Sequence, residues 1–229
     1  MSFTEQEIKI ANKTARSNGA SAISSDGAIR AIVPNFILKN KKLYQNTKIL
    51  DFGSGKDPIH TKWLKENNFD VTAYDFGENC IEGIHDIVAL YHRYDVIFAS
   101  NVLNVQTSIH MLRITLNQIY NALKKHGTFI FNYPKSPRKL DMTEFELINY
   151  IGEKFKSKCH NNNGVFTIIK TEDTDKRIIC HIRGGLIEEV YSSDPDISFI
   201  IVDHDEQDDA EVMDINESLT EECENYYLL

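Results

Sequence analysis

The feature that most constrains the fold is the segment Ile49-Leu50-Asp51-Phe52-Gly53-Ser54-Gly55-Lys56-Asp57-Pro58. An apolar, β-prone run ends there in an acid and two glycines spaced one residue apart, which is typical of a strand that enters a tight turn and then a helix. Glycine suits such a turn because, without a Cβ, it adopts unusual backbone conformations and lets a ligand approach the backbone. Open α/β sheets bind ligands at the carboxyl ends of their strands. The segment therefore predicts a ligand-binding crevice.

Two common phosphate-binding motifs do not fit this turn. A dinucleotide fingerprint, G-x-G-x-x-G, requires a third glycine where this chain has Pro58. A P-loop, G-x-x-x-x-G-K-[ST], requires a glycine at Leu50 and a hydroxyl residue at Asp57. We expect Pro58 to begin the next helix and Asp57 to be its N-cap. A carboxylate at that helix N-terminus disfavours a pyrophosphate and is compatible with a positively charged ligand.

The chain after the turn alternates helix-like and strand-like segments. Hydrophobic spacing predicts three helices, from Pro58 to about residue 67, over 109–125 with a stop at Gly127, and over 142–158. Runs of β-branched and aromatic residues predict strands over 69–74, 94–100, 128–131 and 165–171. Residues 79–92 fit either a helix or a short strand near 83–87. Strand and helix alternate five times and a hairpin follows. This order predicts an α/β fold, a doubly wound and mostly parallel sheet with helices on both faces and an antiparallel strand at its end.

Both ends of the chain differ in character from this domain, which we place at residues 45–172. Residues 1–44 contain short helical patterns, interpreted as a flap over the ligand or, in preference, as a packing extension. Residues 173–205 contain two β-rich runs separated by residues 192–196, which predict an appended β-hairpin. Residues 206–229 are acidic, have little periodicity, and are predicted to be a disordered tail.

The tail also accounts for the net charge of the chain. The sequence contains 25 Lys and Arg against 34 Asp and Glu, a net charge of −9, but residues 203–229 hold 11 of the acids and no Lys or Arg. The remainder is close to neutral, so charge does not exclude a nucleic-acid partner. We interpret Asp203-His204-Asp205 as part of this solvated acidic run and predict no metal site.

Composition also predicts the cellular compartment. No run approaches the roughly 20 apolar residues of a membrane span, and residues 1–11 are charged where a signal peptide would be apolar. The four cysteines are far apart and form no C-x-x-C pair, which indicates reduced thiols. We therefore expect a soluble, cytoplasmic protein with no membrane partner. The cysteines are Cys80, Cys159, Cys180 and Cys223.

Taken together, the ordered motifs resemble the class I SAM-dependent methyltransferases. Asp51-Phe52-Gly53-Ser54-Gly55 matches the D-x-G-x-G of that family, Asp75 ends the second strand, Asn101 follows the strand over 94–100, and residues 122–127 lead into the next strand. The resemblance covers about residues 45–172. It implies a Rossmann-like fold, S-adenosyl-L-methionine (SAM) as cofactor, and methyl transfer to an acceptor. The family often has a third glycine where this chain has Asp57.

The resemblance also implies which residues bind the cofactor. The glycines would contact the methionine part through their backbone, Asp51 would orient its amino group, and Asp75 would accept both ribose hydroxyls. Asp86 would lie beside the adenine. Ser100, Asn101 and Leu103, at the end of the strand over 94–100 and just after it, would form the floor near the methyl group. The full set is Asp51, Gly53, Gly55, Asp75, Asp86, Ser100, Asn101 and Leu103.

No catalytic nucleophile is required, because methyl transfer is an in-line displacement that depends on positioning. The catalytic candidates are Asn101 and His85, although His85, like His92, is interpreted in preference as a surface histidine. The alternative function is a methyltransferase-like SAM-binding or regulatory protein without catalysis.

The sequence leaves the methyl acceptor open between a small molecule and a nucleic acid. Base amino-group methyltransferases carry [DNS]-P-P-[YFW] where this chain has Ser100-Asn101-Val102-Leu103, and Asn132-Tyr133-Pro134 is interpreted as a strand end. No cysteine follows a proline, as cytosine C5 chemistry would require. Lys135, Arg138 and Lys139 fit a phosphate contact or a solvated loop equally well. Residues 100–105 also resemble a segment of methyltransferases associated with phage or bacterial DNA-modification loci, which for a phage-encoded chain implies the host cytoplasm.

Overall fold

The computed structural model describes residues 3–10, 31–135, 138–172, 178–183 and 186–192. The chain divides into two compact units, residues 1–173 and 174–229. In the second unit, two antiparallel strands pair with each other, β7 (Ile178–Arg183) and β8 (Leu186–Ser192). Residues 184–185 separate these two strands, whereas the prediction placed residues 192–196 between the strands of the hairpin. The predicted acidic tail lies outside the described residues.

The first unit is built on a six-stranded sheet with the order β2-β1-β3-β4-β6-β5. Strands β1 to β4 run parallel to one another, and β6 pairs antiparallel with both β4 and β5. The sheet is therefore mostly parallel with an antiparallel strand near one end, as the sequence predicts. The chain passes from β1 to β2 on one side and then to β3 on the other, so the strand order reverses at β1, which is where open α/β sheets bind ligands in a crevice. The strands are β1 (Lys48–Phe52), β2 (Asp70–Tyr74), β3 (Tyr94–Ala99), β4 (Leu123–Asn132), β5 (His160–Asn162) and β6 (Val165–Ile169).

Helices cover both faces of this sheet. Neighbouring residues of a strand point to opposite faces, and both sets are apolar. On one face Leu50, Ile97 and Phe129 belong to a buried cluster that includes residues of α4 and α5. On the other, Ile49 and Val96 belong to a cluster with residues of α1 and α3. The doubly wound prediction is therefore confirmed. The helices are α1 (Ile32–Lys39), α2 (Lys41–Tyr44), α3 (Ile59–Glu66), α4 (Ile109–Ala122) and α5 (Glu144–Phe155).

The start of α3 differs from the prediction. Helix α3 begins at Ile59, Pro58 occupies the N-cap position, and no side chain caps the helix. Asp57 is exposed and forms an ion pair with Lys62, one turn into the helix. The prediction that Asp57 is the N-cap is therefore wrong, because a lysine within reach binds its carboxylate instead.

The end of α4 also differs from the prediction, and a residue far along the chain, directly after β6, caps it. Helix α4 ends at Ala122 and β4 begins at once, so Gly127 lies within β4 and does not stop the helix. Lys170 is fully buried, and its Nζ donates hydrogen bonds of 3.0 Å to the carbonyl oxygens of Tyr120 and Leu123. A cation suits a helix C-terminus because the last carbonyls lack intrahelical partners and carry partial negative charge.

Residues 79–92 form neither the regular helix nor the strand that the sequence left open. They contain the end of one 3₁₀ helix (Gly77–Asn79), a second 3₁₀ helix (Ala89–Tyr91), and an isolated bridge between Glu82 and His85. A single backbone hydrogen bond of 3.0 Å, from Asp86 N to Ala73 O, ties this segment to β2. None of the helices in the described ranges is long and apolar enough to span a membrane.

Candidate functional site

The glycine turn lies at the carboxyl edge of the sheet, between β1 and α3. Gly53 and Gly55 have φ values of +76° and +78°. The backbone N–H groups of Gly53 and Ser54 donate to Tyr74 O at 2.9 and 3.0 Å, which fixes the turn to the end of β2. A Cβ on Gly53 would lie 2.6 Å from Val102 Cγ2, whereas a Cβ on Gly55 would have no neighbour within 4 Å. Gly53 is thus required for close packing, and Gly55 presents an open face to a ligand.

Asp75 connects the end of β2 to this turn. Its side chain is buried, Oδ2 accepts a hydrogen bond of 2.6 Å from Gly55 N, and Oδ1 accepts one of 2.8 Å from Phe76 N. Burial raises the pKa of Asp75 above its ordinary value, although both backbone hydrogen bonds act in the opposite direction. The side chain of Asn79 also hydrogen-bonds to this carboxylate. A carboxylate has about four acceptor positions, so Asp75 can still accept a hydrogen bond from a ligand.

Asp51 is the second buried carboxyl group at the turn. It lies at the end of β1 with 1% of its surface exposed, and Thr61 Oγ1 of α3 donates to its Oδ2 at 2.8 Å. Burial is the main cause that raises the pKa of Asp51 to about 7, the charge of Asp75 acts in the same direction, and the Thr61 hydrogen bond opposes both. A cation close to Asp51 would favour its charged form. The structure thus gathers four predicted residues, Asp51, Gly53, Gly55 and Asp75, at one turn.

The exits of β3 and β4 are joined by two asparagines. Asn101 has a φ of +60°, its N–H donates to Asn132 Oδ1 at 2.7 Å, and Asn132 Nδ2 donates to Asn101 Oδ1 at 2.7 Å. Beside this pair, Ser100 Oγ is shielded from solvent and has no hydrogen-bond partner in the described part of the chain. Asn132 was missed as a site residue, because we interpreted it only as a strand end. Its position at the carboxyl end of a parallel strand was a signal that could have identified it.

Val102 rather than Leu103 contacts the glycine turn. Leu103 is 1% exposed, begins a short 3₁₀ helix (Leu103–Val105) and belongs to the main core cluster. The side chain of Val102 instead lies against Gly53. The strand before these residues is predictable, but the left-handed backbone at Asn101 redirects the chain and so changes which residue faces the turn.

His85 is buried against the turn, so the surface interpretation of this histidine is wrong. It is 6% exposed, its Nδ1 accepts a hydrogen bond of 3.0 Å from Ile81 N, and its Nε2 donates one of 2.8 Å to Gly55 O. Both ring nitrogens are therefore bound to backbone groups. His92, in contrast, is exposed as expected, with its Nε2 3.8 Å from Asp86 Oδ2.

Asp86 follows His85 and lies beside the end of β2. Its N–H binds Ala73 O, and its Oδ1 accepts a hydrogen bond of 2.9 Å from Val88 N. The carboxylate thus stabilises a local turn at the edge of the crevice.

Residues 3–10, here called the N-terminal strap, contact both sides of the crevice. The ring of Phe3 lies 4.8 Å from that of Phe76, directly after Asp75. At the other end, the Glu7 carboxylate accepts a hydrogen bond from Ser108 Oγ and lies 3.3 Å from His110 Nδ1, both at the start of α4. Since β1 lies between β2 and β3, the strap crosses the carboxyl edge near the glycine turn. For residues 3–10 this position fits the flap interpretation, whereas Val33 and Ile37 of α1 are buried in a core cluster, as expected of a packing extension.

The ionisation of Glu7 reflects these contacts. Burial acts to raise its pKa, but hydrogen bonds from Ser108, the Thr4 backbone and His110 lower the pKa of Glu7 to about 2. Glu7 is therefore charged at neutral pH and attracts hydrogen-bond donors of α4 across the crevice.

Arg138 stabilises the loop after β4. Its Nη2 donates to Tyr133 O at 2.8 Å, its Nε donates to Pro134 O at 3.1 Å, and its guanidinium lies 4.1 Å from the Tyr133 ring centroid. These contacts occupy the side chain that we considered for phosphate binding. Among the described residues, no group of three or more His, Cys, Asp or Glu side chains could hold a metal ion. Asp203-His204-Asp205 lies outside them.

Residues 25–162 match the model of a protein family described as a methyltransferase domain. No curated protein sequence gives a significant match.

Among solved structures, the chain is similar to 1,6-didemethyltoxoflavin-N1-methyltransferase of Burkholderia thailandensis, which was solved with 1,6-didemethyltoxoflavin and S-adenosylhomocysteine. The two are 18% identical with a TM-score of 0.52, over 75% of this chain and 92% of that chain. CalS10, an amino pentose methyltransferase of Micromonospora echinaspora solved with SAM, is 10% identical with a TM-score of 0.48, over 75% of this chain and 98% of that chain. The first similarity shows that the two chains share a fold.

Proposed function

Since this chain belongs to the methyltransferase-domain family, we propose that it binds SAM at the glycine turn and transfers the methyl group to an acceptor at the exits of β3 and β4. The predicted family and the Rossmann-like fold are confirmed. The observation that carries the proposal is Gly55, whose positive φ and open face lie beside two buried carboxyl groups. An open, backbone-lined face between buried acids suits a ligand that carries an ammonium group and a ribose.

The residues around Gly55 fit the groups of this cofactor. When bound, SAM would supply a methyl group on a sulfonium: an acceptor that attacks the methyl carbon breaks the carbon–sulfur bond, and S-adenosylhomocysteine departs with its sulfur as a neutral thioether. Asp51, whose pKa is raised to about 7, would take its charged form beside the ammonium group. We propose that Asp75 accepts hydrogen bonds from the ribose hydroxyls and that Asp86 borders the adenine.

The acceptor side contains hydrogen-bonding groups that orient without removing a proton. Asn101 Oδ1 is occupied by Asn132, so its remaining polar side-chain group is Nδ2, a hydrogen-bond donor. A neutral amide at that place can orient an acceptor but cannot serve as a general base. His85 does not serve as the base either, because both of its nitrogens bind backbone groups. We therefore propose that catalysis depends on positioning of an acceptor that is nucleophilic by itself.

The acceptor that we favour is a small molecule. The N-terminal strap crosses the crevice between Phe76 and Ser108, and a nucleic acid would have to displace it to reach Asn101. The similar enzyme from Burkholderia thailandensis was solved with a small heterocyclic ligand. The association with DNA-modification loci stays a prediction.

Calorimetric titration with S-adenosylhomocysteine (SAH) tests cofactor binding. We expect the wild type to bind, and Asp75→Ala to bind at least about tenfold more weakly, because hydrogen bonds to a charged group contribute roughly 1.5–3 kcal/mol. Asp70→Ala is the matched control, since Asp70 is an exposed acid at the start of β2, the strand that Asp75 directly follows. A wild type that does not bind, or a folded Asp75→Ala that binds equally well, would contradict the proposal.

Isotope labelling tests transfer and the acceptor class. Cells that express the wild type or Asp75→Ala are supplied with methyl-deuterated methionine, and metabolites and nucleic acids are analysed by mass spectrometry. A labelled metabolite present only with the wild type is the expected result. Label confined to nucleic acid would refute a small-molecule acceptor. SAH binding without any labelled product would favour the SAM-binding protein without catalysis.

A further inference from the structure

We propose that His85 is a positioning residue that holds the Gly55 peptide in its cofactor-binding conformation and thereby sets the affinity for the cofactor. The inference rests on the proposed function and adds a residue that the family resemblance does not assign to the cofactor site. It is argued from the hydrogen bonds that two side chains form with the N–H and the carbonyl of Gly55.

Gly55 is held from two sides by buried side chains. Asp75 Oδ2 accepts from its N–H at 2.6 Å, and His85 Nε2 donates to its carbonyl oxygen at 2.8 Å. Asp75 is 5% exposed and His85 6% exposed, so water does not compete freely for either bond. The two side chains come from different segments, the end of β2 and the loop after it, and they converge on the residue with the open face.

Only one tautomer of His85 satisfies this arrangement. The carbonyl of Gly55 only accepts and the N–H of Ile81 only donates, so Nε2 must carry the proton and Nδ1 must lack it. A doubly protonated ring would direct an Nδ1–H at the N–H of Ile81. Asp75, at the exit of β2, also interacts electrostatically with the ring.

The hydrogen bond matters for affinity because glycine has little conformational preference of its own. A glycine with a φ of +78° loses more backbone freedom on ordering than any other residue. A turn that is already fixed binds more tightly, because the ligand does not have to order it. His85 also connects the turn to the neighbouring residue Asp86, so that both walls of the crevice are fixed together.

Three substitutions separate the two hydrogen bonds of the ring. His85→Gln retains a donor that can reach the Gly55 carbonyl, His85→Asn retains an acceptor for Ile81 N but does not reach Gly55, and His85→Leu retains neither. We expect SAH binding to weaken about tenfold in His85→Leu and His85→Asn, the effect of leaving a buried polar group unpaired. In His85→Gln it should weaken by no more than about threefold. His160→Gln, at an exposed histidine of β5, is the matched control and should not change the affinity.

Calorimetric titration with SAH is the assay, with thermal unfolding as a check that each variant is folded. Equal affinity in all four variants, or equal weakening in His85→Gln and His85→Leu, would overturn the inference. A wild type that does not bind SAH would instead overturn the proposed function and this inference with it. Wild-type ¹⁵N NMR gives a second test that does not depend on variants. We expect the shifts of a neutral His85 ring protonated at Nε2, and a proton at Nδ1 would overturn the inference.

Discussion

The contact between Gly53 and Val102 allows a quantitative prediction for Gly53→Ala. An alanine at φ +76° takes a left-handed backbone conformation, which costs about 1–2 kcal/mol. Its Cβ would also lie 2.6 Å from Val102 Cγ2 and 3.3 Å from Cγ1, and overpacking of this kind costs about 1–3 kcal/mol. We therefore expect the free energy of unfolding to fall by about 2–5 kcal/mol.

Gly55→Ala is the matched control for this prediction. Gly55 has nearly the same φ, +78°, but a Cβ there would have no neighbour within 4 Å, so only the backbone cost of about 1–2 kcal/mol remains. Gly53→Ala should cost more stability than Gly55→Ala, but the two substitutions should rank in the opposite order in their effect on SAH affinity. Gly55→Ala fills the open face and should weaken SAH binding more than Gly53→Ala does.

Urea unfolding is the assay, followed by the fluorescence of Trp63, the only tryptophan of the chain, on the helix after the turn. A double-mutant cycle with Val102→Ala isolates the steric contribution, because that substitution removes both methyl groups that the new Cβ would meet. We expect a favourable coupling free energy of at least about 1 kcal/mol between the two substitutions. Equal losses of stability in Gly53→Ala and Gly55→Ala, with no coupling to Val102, would refute the reasoning.

Three further predictions follow from buried charges and from the strap. Because burial raises the pKa of Asp51 from 3.8 to about 7, the folded chain keeps a proton that the unfolded chain loses, so stability should fall as the pH rises from about 4 to about 7. In urea unfolding experiments at several pH values, the free energy of unfolding of Asp51→Asn should vary less with pH in that window than that of the wild type. An equal pH dependence in the two proteins would contradict the prediction. Lys170→Met leaves two carbonyls at the end of α4 unpaired and should destabilise by roughly 1–3 kcal/mol, against less than about 0.5 kcal/mol for the exposed Lys125→Met. Glu7→Gln weakens the contact of the strap with Ser108 and His110 and should speed SAH dissociation several-fold in stopped-flow experiments, whereas an unchanged rate would show that the strap does not cover the ligand.

The features that the sequence predicted well depend on neighbouring residues. The strand before Asp51 and the strand over 94–100 are rich in β-branched or aromatic residues, and Gly53 and Gly55 mark the turn between strand and helix. These local signals located the crevice and its two acids. The position of α5 was predicted for the same reason, since its apolar residues recur at helical spacing.

The features that were missed depend on residues far apart in the chain. Lys170, directly after β6, caps α4 from 50 positions away in the sequence, and Asn132 binds Asn101 across two strand exits. His85 lies in a segment whose pattern fits a helix and a strand equally well, and neither pattern indicated that both ring nitrogens contact backbone groups. Even the local rule at Asp57 failed, because Lys62 competes for the carboxylate.

The cap that Lys170 forms on α4 has a practical consequence for expression of the protein in pieces. The family match ends at residue 162, before β6 and before this lysine. A fragment cut at that limit would leave β4 as an open edge strand with Phe129 and Phe131 no longer flanked by β6, and unpaired edges of this kind promote aggregation. Fragments for cofactor titration should therefore extend through residue 173, where the first unit ends.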